Sequence, residues 1–248
     1  MPDTDDTEPV KVRRAYKFRA YPTRPQEGRA GRLLADHCDL YNAALMERRE
    51  AWRARRVSIG YGTQSAQLKE IRRADPDGQG RHSFTAQQQT LRRLNTVFAG
   101  FFDRAEAAEK AGQERKPGYP RVKPYQRFSQ VLFVAGDGAK WQASGTGRWA
   151  HATFQAVGTL KVRQHRPVRG TVKALQLTRE HRRWYVIVVA ETEPVPLPPA
   201  GREIGVDMGV ARFLTTSDGE VVANPRFLAA SAEVIAGLER RKARARPG

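Results

Sequence analysis

Four prolines stand within six residues at Pro194-Val195-Pro196-Leu197-Pro198-Pro199. Proline locks φ and removes a backbone donor, so such a run reads as a stiff, extended linker. A chain of 248 residues interrupted in this way is expected to fold in two parts. The whole length is enough for one large domain or two modest ones. Hydrophobic residues make up 40% of the whole, enough to bury a core.

Before the linker the pattern changes twice. Val10 to Tyr21 alternates: Val10, Val12, Tyr16, Phe18 and Ala20 share one side, while Lys11, Arg13, Lys17 and Arg19 share the other. That is a strand with one basic face. Arg14 interrupts the pattern and is read as a bulge. Thr23-Arg24-Pro25-Gln26 then starts a helix, with Thr23 as cap, Gln26 closing a capping box and Pro25 in the first turn. Ala30, Leu34, Cys38, Tyr41, Leu45 and Trp52 fall on one helical stripe. Cys38 within it reads as a small buried apolar residue rather than a nucleophile, and His37 has no partner that can be named. Ser58 to Thr63 is a break, Ser65 to Arg73 a short helix, and Ala74 to Gly80 a loop. Thr85-Ala86-Gln87-Gln88 reads as a second capping box. It leads a helix with Leu91, Leu94, Phe98, Phe101 and Ala105 on one face, which ends near Gly112. Residues from about 24 to 111 thus form a helical unit.

From Gly118 onward short alternating runs replace the helices: Val131 to Val134, a poorly patterned stretch from Gly136 to Gly147, then Thr159 to His165. Val172 to Thr178 and Trp184 to Glu191 make a hairpin around Arg179 to Arg183. Short strands at this spacing indicate a small barrel or sandwich. Lys161, Arg163 and Arg166 are expected to share a basic face with His165, itself a structural rather than a catalytic histidine.

Lys and Arg number 44 against 26 Asp and Glu, a formal net charge of +18. That field favours a polyanion, most simply nucleic acid. With no long apolar run and no lone basic amphipathic helix, an anionic membrane fits less well. Met1 to Glu8 is acidic and polar, expected to be a disordered tail rather than a targeting signal. The single cysteine excludes a disulfide framework and a cysteine-based zinc site within the chain. A cytoplasmic location is the simplest expectation.

After the linker, Ile204 to Val210 places one carboxylate, Asp207, inside an apolar strand. Strands over Phe213 to Ser217 and Glu220 to Asn224 follow, joined by a turn at Asp218-Gly219, and then a helix from Phe227 to Arg246. A carboxylate buried among apolar residues calls for a counter-charge or a metal. The alternative is a simple Asp-x-Gly bend.

Gly205-Val206-Asp207-Met208-Gly209-Val210, Phe213, Thr215-Thr216-Ser217-Asp218-Gly219 and Asn224-Pro225-Arg226-Phe227 resemble the first RuvC motif of the TnpB (OrfB) family. These are transposon-encoded, RNA-guided DNA endonucleases related to the type V CRISPR effectors. The actin, Hsp70 and sugar-kinase ATPases also carry Gly-x-Asp-x-Gly on such a strand. They place a hydroxyl residue where this chain has Val210, and they open their domain with it. The ordered motifs upstream favour TnpB. Arg14 to Thr23 resembles the family's opening strand and Tyr41-Asn42-Ala43-Ala44-Leu45 its first helix. Gln88, Leu91, Leu94 and Phe101 resemble its Gln-x-x-Leu-x-x-Leu helix, and Gly118-Tyr119-Pro120-Arg121-Val122-Lys123 its Gly-x-Pro-x-x-Lys turn. Gly158 and Leu160 to Arg166 resemble the strand before its nuclease domain.

The resemblance implies an α+β chain. A wedge-type antiparallel β-barrel would be built from residues 10–23 and 115–195, after an acidic tail at 1–9. A helical recognition lobe, residues 24–114, would be inserted in it. Past a linker at 196–201, residues 202–248 would be the first strands and helix of an RNase H-like (RuvC) domain. It further implies guide RNA and target DNA as partners, with Lys17, Arg19, Tyr61, Gln88, Arg121, Lys123, Lys161, Arg163 and Arg166 as nucleic-acid contacts. Phe84 and Thr85 depart from the family pattern near Tyr61 and Gln88, which leaves the preferred target-adjacent motif open. Family chemistry is two-metal hydrolysis with Mg²⁺. Asp207 matches its first carboxylate, as catalytic residue and metal ligand. The later glutamate, the final aspartate and the cysteine zinc ribbon have no counterpart in this sequence. The expectation is therefore the N-terminal portion of such a protein, unable to cleave alone. A nuclease-dead RNA-guided DNA-binding module and a generic basic RNA-binding protein are the alternatives.

Overall fold

The structure is a computed structural model that describes residues 11–113, 117–143, 148–194, 201 and 203–245. The acidic tail and nearly all of the proline run lie outside the described residues. The chain divides into two units, Met1–Pro194 and Val195–Gly248.

The first unit is α+β, a curled seven-stranded antiparallel sheet carrying three long helices. In chain order it runs β1 (Val12–Tyr21), α1 (Arg24–Arg55), α2 (Tyr61–Ala74), α3 (Phe84–Lys110), β2 (Gln130–Val134), β3 (Ala139–Ala143), β4 (Trp149–Phe154), β5 (Gly158–Arg163), β6 (Thr171–Glu180) and β7 (Arg183–Thr192). The strand order is β2-β6-β7-β1-β5-β4-β3. Its two edge strands, β2 and β3, are consecutive in the chain, so the four residues 135–138 carry it from one edge to the other and hold the sheet curled. The turn needs Gly138, whose φ is +76° and whose Cβ would stand 2.4 Å from that of Ser83.

Alternation along the strands decides what lies inside the curl. Phe18, Phe133, Phe154, Leu160, Leu175 and Val186 are fully buried there. The same core continues into the helices through Leu33, Tyr41, Leu45, Leu91 and Leu94. β1 pairs without interruption from Val12 to Ala20 against β7. Arg14 is therefore not a bulge: it shares the parity of Tyr16 and Phe18 and is simply exposed toward the strand's outer end. The register shift lies instead on β6, between Val172 and Ala174. The stretch expected to be poorly patterned contains β3, and β4 follows it.

Helix α1 starts as the sequence indicates. Thr23 is its N-cap and donates its N–H to Gln26 Oε1 at 2.9 Å. Gln26 Nε2 then donates to the Thr159 carbonyl at 2.8 Å, and Arg29 Nε to that of Val157 at 2.8 Å. One turn of helix thus both caps itself and ties to the β4–β5 turn. Trp52 leaves the expected stripe and is 50% exposed, because the last turns of α1 run past the core. Helix α3 is capped by Ser83, not Thr85: the Ser83 hydroxyl accepts from the Ala86 N–H at 3.1 Å.

His37 does have a partner. It is fully buried, and its Nδ1 lies 2.7 Å from Thr90 Oγ1. Thr90 donates onward to the Ala86 carbonyl, so His37 Nδ1–H is the donor to Thr90. The ring of His82 sits 5.3 Å away. His82 Nε2 and Arg81 each reach Asp36 Oδ2 at 2.7 Å. Burial alone would raise the Asp36 carboxyl, but the hydrogen bonds from His82 and Arg81 bring it below the ordinary range. Burial first, and then the neighbouring His82, hold His37 down to about 3.

The second unit holds a three-stranded sheet, β8 (Val206–Asp207), β9 (Arg212–Thr216) and β10 (Val221–Ala223) in the order β10-β9-β8, followed by α4 (Phe227–Arg244). The strand bearing Asp207 is far shorter than expected, and Asp207 is exposed rather than buried. No residue of α4 is buried. Among the described residues no helix is long and apolar enough to cross a membrane.

Because the unfolded chain protonates His37 near pH 6.5 while the folded chain does so only near 3, stability is full above pH 6.5 and falls as pH drops through that window. Between pH 6.5 and 5.5 the loss from this one group is about 1 kcal/mol. Urea denaturation at several pH values measures it, and His37→Gln should flatten that slope; an unchanged slope in the variant would refute the assignment.

Candidate nucleic-acid interface

The outward face of the sheet follows from the inward one. Phe18 and Ala20 point into the core, so Lys17, Arg19 and Tyr21 point out. The register then aligns one row across four strands. Tyr185 on β7 stands opposite Arg19 on β1, Arg19 opposite Arg163 on β5, and Arg163 opposite Trp149 on β4. The next row sets Tyr21 opposite Lys161, and Lys161 opposite His151. Cations and rings interleave. Lys161 Nζ lies 4.2 Å from the Trp149 centroid and the Arg163 guanidinium 5.1 Å. Arg19 lies 5.4 Å from the Tyr185 centroid and 5.6 Å from that of Tyr21, and Lys17 4.6 Å from Tyr185. Lys17 is also ion-paired with Glu180.

Folding alone does not favour this row. Like charges directly opposite on neighbouring strands are destabilising, and Arg19 faces Arg163. The aromatic rings offset part of that repulsion. Arg19 Nη1 is buried with no hydrogen-bond partner among the described residues. A polyanion across the row would relieve the repulsion between Arg19 and Arg163, with phosphates on the cations and bases against the rings.

The other expected contacts fall elsewhere. Tyr61 opens α2 and Gln88 lies on α3, and the structure brings them together. Gln88 Nε2 donates to Ser65 Oγ at 3.0 Å, while Arg92, one turn beyond Gln88, covers the Tyr61 ring at 5.1 Å. Arg121 lines an open groove of about 440 Å³ with Arg49, Trp52, Arg53 and Tyr119. Lys123 is held by its backbone: its N–H donates to Asn42 Oδ1 and its carbonyl accepts from Asn42 Nδ2, both at 2.9 Å. Its ammonium rests 4.7 Å from the Tyr41 ring centroid, and burial, then Arg93, lowers its pKa. The Cys38 thiol donates to the same carbonyl at 3.3 Å, its pKa raised by burial. Arg166 and His165 do not share the face of Lys161 and Arg163. β5 ends at Arg163; beyond it His165 packs edge-on against the inward ring of Phe18 at 5.2 Å, and Arg166 lies 5.1 Å from that of Tyr16.

In the second unit Asp207 lines an open pocket with Gly205, Gly209, Arg212 and Thr215, and among the described residues no second carboxylate lines it. No group of three or more His, Cys, Asp or Glu that could hold a metal occurs among the described residues.

No family model matches the chain. A protein of Streptomyces pristinaespiralis provisionally named RNA-guided DNA endonuclease is 27% identical over 220 residues, covering 87% of this chain and 51% of the relative. The Escherichia coli K12 protein InsQ, provisionally given the same name, is 26% identical over 241 residues, covering 95% of this chain and 55% of the relative. These matches support the resemblance to the TnpB family. The chain spans about half the length of the curated relatives it matches.

The rings that flank these cations, Tyr185, Tyr21 and Trp149, are not among the sequence-based candidates. Tyr21 and Tyr185 could have been found from parity, since each stands on the side opposite its strand's buried residues. Trp149 could not, because β4 was not foreseen. Converting Lys161 and Arg163 together to Gln should lower the steepness of log K against log salt by roughly 1.4 on a single strand, two contacts at about 0.7 each. Binding titrations from low to moderate salt measure this, and an unchanged slope would remove the row from the interface.

Proposed function

We propose that the chain holds a guide RNA and, through it, a target DNA, in the manner of the TnpB family. The observation that carries this reading is the row Tyr185-Arg19-Arg163-Trp149, where opposed cations interleave with rings on an open sheet face. The net charge of +18 and the names of the relatives point the same way. On this reading the curled sheet is the wedge-type barrel, α1 to α3 the recognition lobe, and the second unit the opening of a RuvC domain. Guide–target pairing would read sequence, while the protein grips backbone and shape. Tyr61 and Gln88, joined through Ser65 and Arg92, would approach the target-adjacent duplex, and Arg121 the strand beside it.

Purified chain should carry a defined RNA and, once loaded, retain DNA complementary to that RNA while releasing non-complementary DNA. Equal retention of both would mean a general RNA-binding protein instead.

Asp207 would serve as one Mg²⁺ ligand in a complete nuclease site. Among the described residues that line its pocket there is no other carboxylate to share the metal. Loaded with RNA and supplied with Mg²⁺, this chain should bind target DNA and leave it uncut, and Asp207→Ala should change neither result. Cleavage abolished by Asp207→Ala would overturn that expectation.

A further inference from the structure

We infer that the nucleic-acid segment lying across β7, β1, β5 and β4 is unpaired, and that Trp149 and Tyr21 stack its bases. The inference rests on the nucleic-acid reading of this face and adds what form of strand it takes. A duplex turns its base faces inward and offers phosphates and groove edges. It would engage Lys161 and Arg163 but leave the rings between them with nothing to stack on. An unpaired strand offers both phosphates and base faces.

The rings are placed for that use. Trp149 and Tyr21 come from different strands, β4 and β1, and meet with centroids 5.8 Å apart and planes at 72°. Neither is a core residue: Tyr21 is 48% exposed and Trp149 half-buried. Without ligand, their faces are covered by cations, with Lys161 at 4.2 Å from Trp149 and Arg19 at 5.6 Å from Tyr21. A strand entering the row can exchange partners in register. Each phosphate draws a cation off a ring, and each exposed ring takes a base. Neither cation nor ring is left unpaired at the end, so the ligand-free contacts hold the side chains in place for the bound state.

A 12-nucleotide uridine RNA and a 12-base-pair RNA duplex, compared by fluorescence anisotropy at one salt concentration, test this. Trp149→Ala in the full chain should weaken binding of the single strand by about 5- to 150-fold, the worth of one stacked base, while duplex binding stays within about twofold. Trp149→Phe should keep most of the single-strand affinity. Retained duplex binding by the Ala variant also reports that it is folded. An equal loss on both probes, or no loss on either, would overturn stacking while leaving nucleic-acid binding intact. Failure of the unaltered chain to bind either probe would overturn the functional reading and this inference together.

Discussion

Strand β1 is paired along both edges, with β7 over nine register positions and with β5 over three. Its side chains then divide by parity. Phe18 is fully buried and stacks on Trp141 at 5.5 Å, with planes 14° apart. Its neighbours Lys17 and Arg19 are turned to the outside by that burial. A slip of one position would put arginine in the core and phenylalanine in solvent, so the hydrophobic effect pins the register. The cationic row is thus positioned by the core beneath it. Arg19 meets Tyr185 and Arg163 because Phe18 and Ala20 have nowhere else to go.

The two units are held by different forces. The first has one core shared by sheet and helices. The second relies on hydrogen bonds. Asn224 Nδ2 donates to the Val210 carbonyl at 2.7 Å, and the Gly205 N–H to Ser217 Oγ at 3.0 Å. Val210 is 89% exposed and Phe227 77%. A three-stranded sheet gains independent stability chiefly by burying a face, and this one buries little. The strand around Asp207 is correspondingly short.

How much could be read from the sequence depended on the range of the deciding interaction. Local signals held well: Thr23 and Gln26 start α1, Gly112 follows the end of α3, and the β6–β7 hairpin lies where the alternation puts it. Signals with close rivals misplaced details. Ser83 and Thr85 are both hydroxyl residues at the start of the same helix; Ser83 takes the cap, accepting from the Ala86 N–H while it packs beside the β2–β3 turn. Trp52 continues the α1 stripe, yet helical periodicity says nothing about where the core ends. β4, with two alanines between its aromatic ends, lacked the bulky alternation that marks a strand. The cationic row was half legible. Lys17, Arg19, Lys161 and Arg163 could be named from alternation, but their assembly with Trp149 and Tyr185 requires cross-strand register between segments far apart in the chain. That information lies in the pairing and not in any single segment.

The central place of β1 also bears on how the protein is made. It emerges ahead of the sheet's other strands, but Arg19 must wait for Arg163, about 140 residues later, before that edge is paired, and the other edge waits longer still. At ribosomal speeds of roughly 5–20 residues per second, the delay is on the order of ten seconds. The helices between can form meanwhile from local contacts. The nascent strand, with Tyr16 and Phe18 uncovered, cannot. During synthesis the most protected strand of the finished sheet is thus the one left longest without a partner, and its basic flank, Lys17 and Arg19, gives it a charge that discourages pairing with copies of itself in the interval.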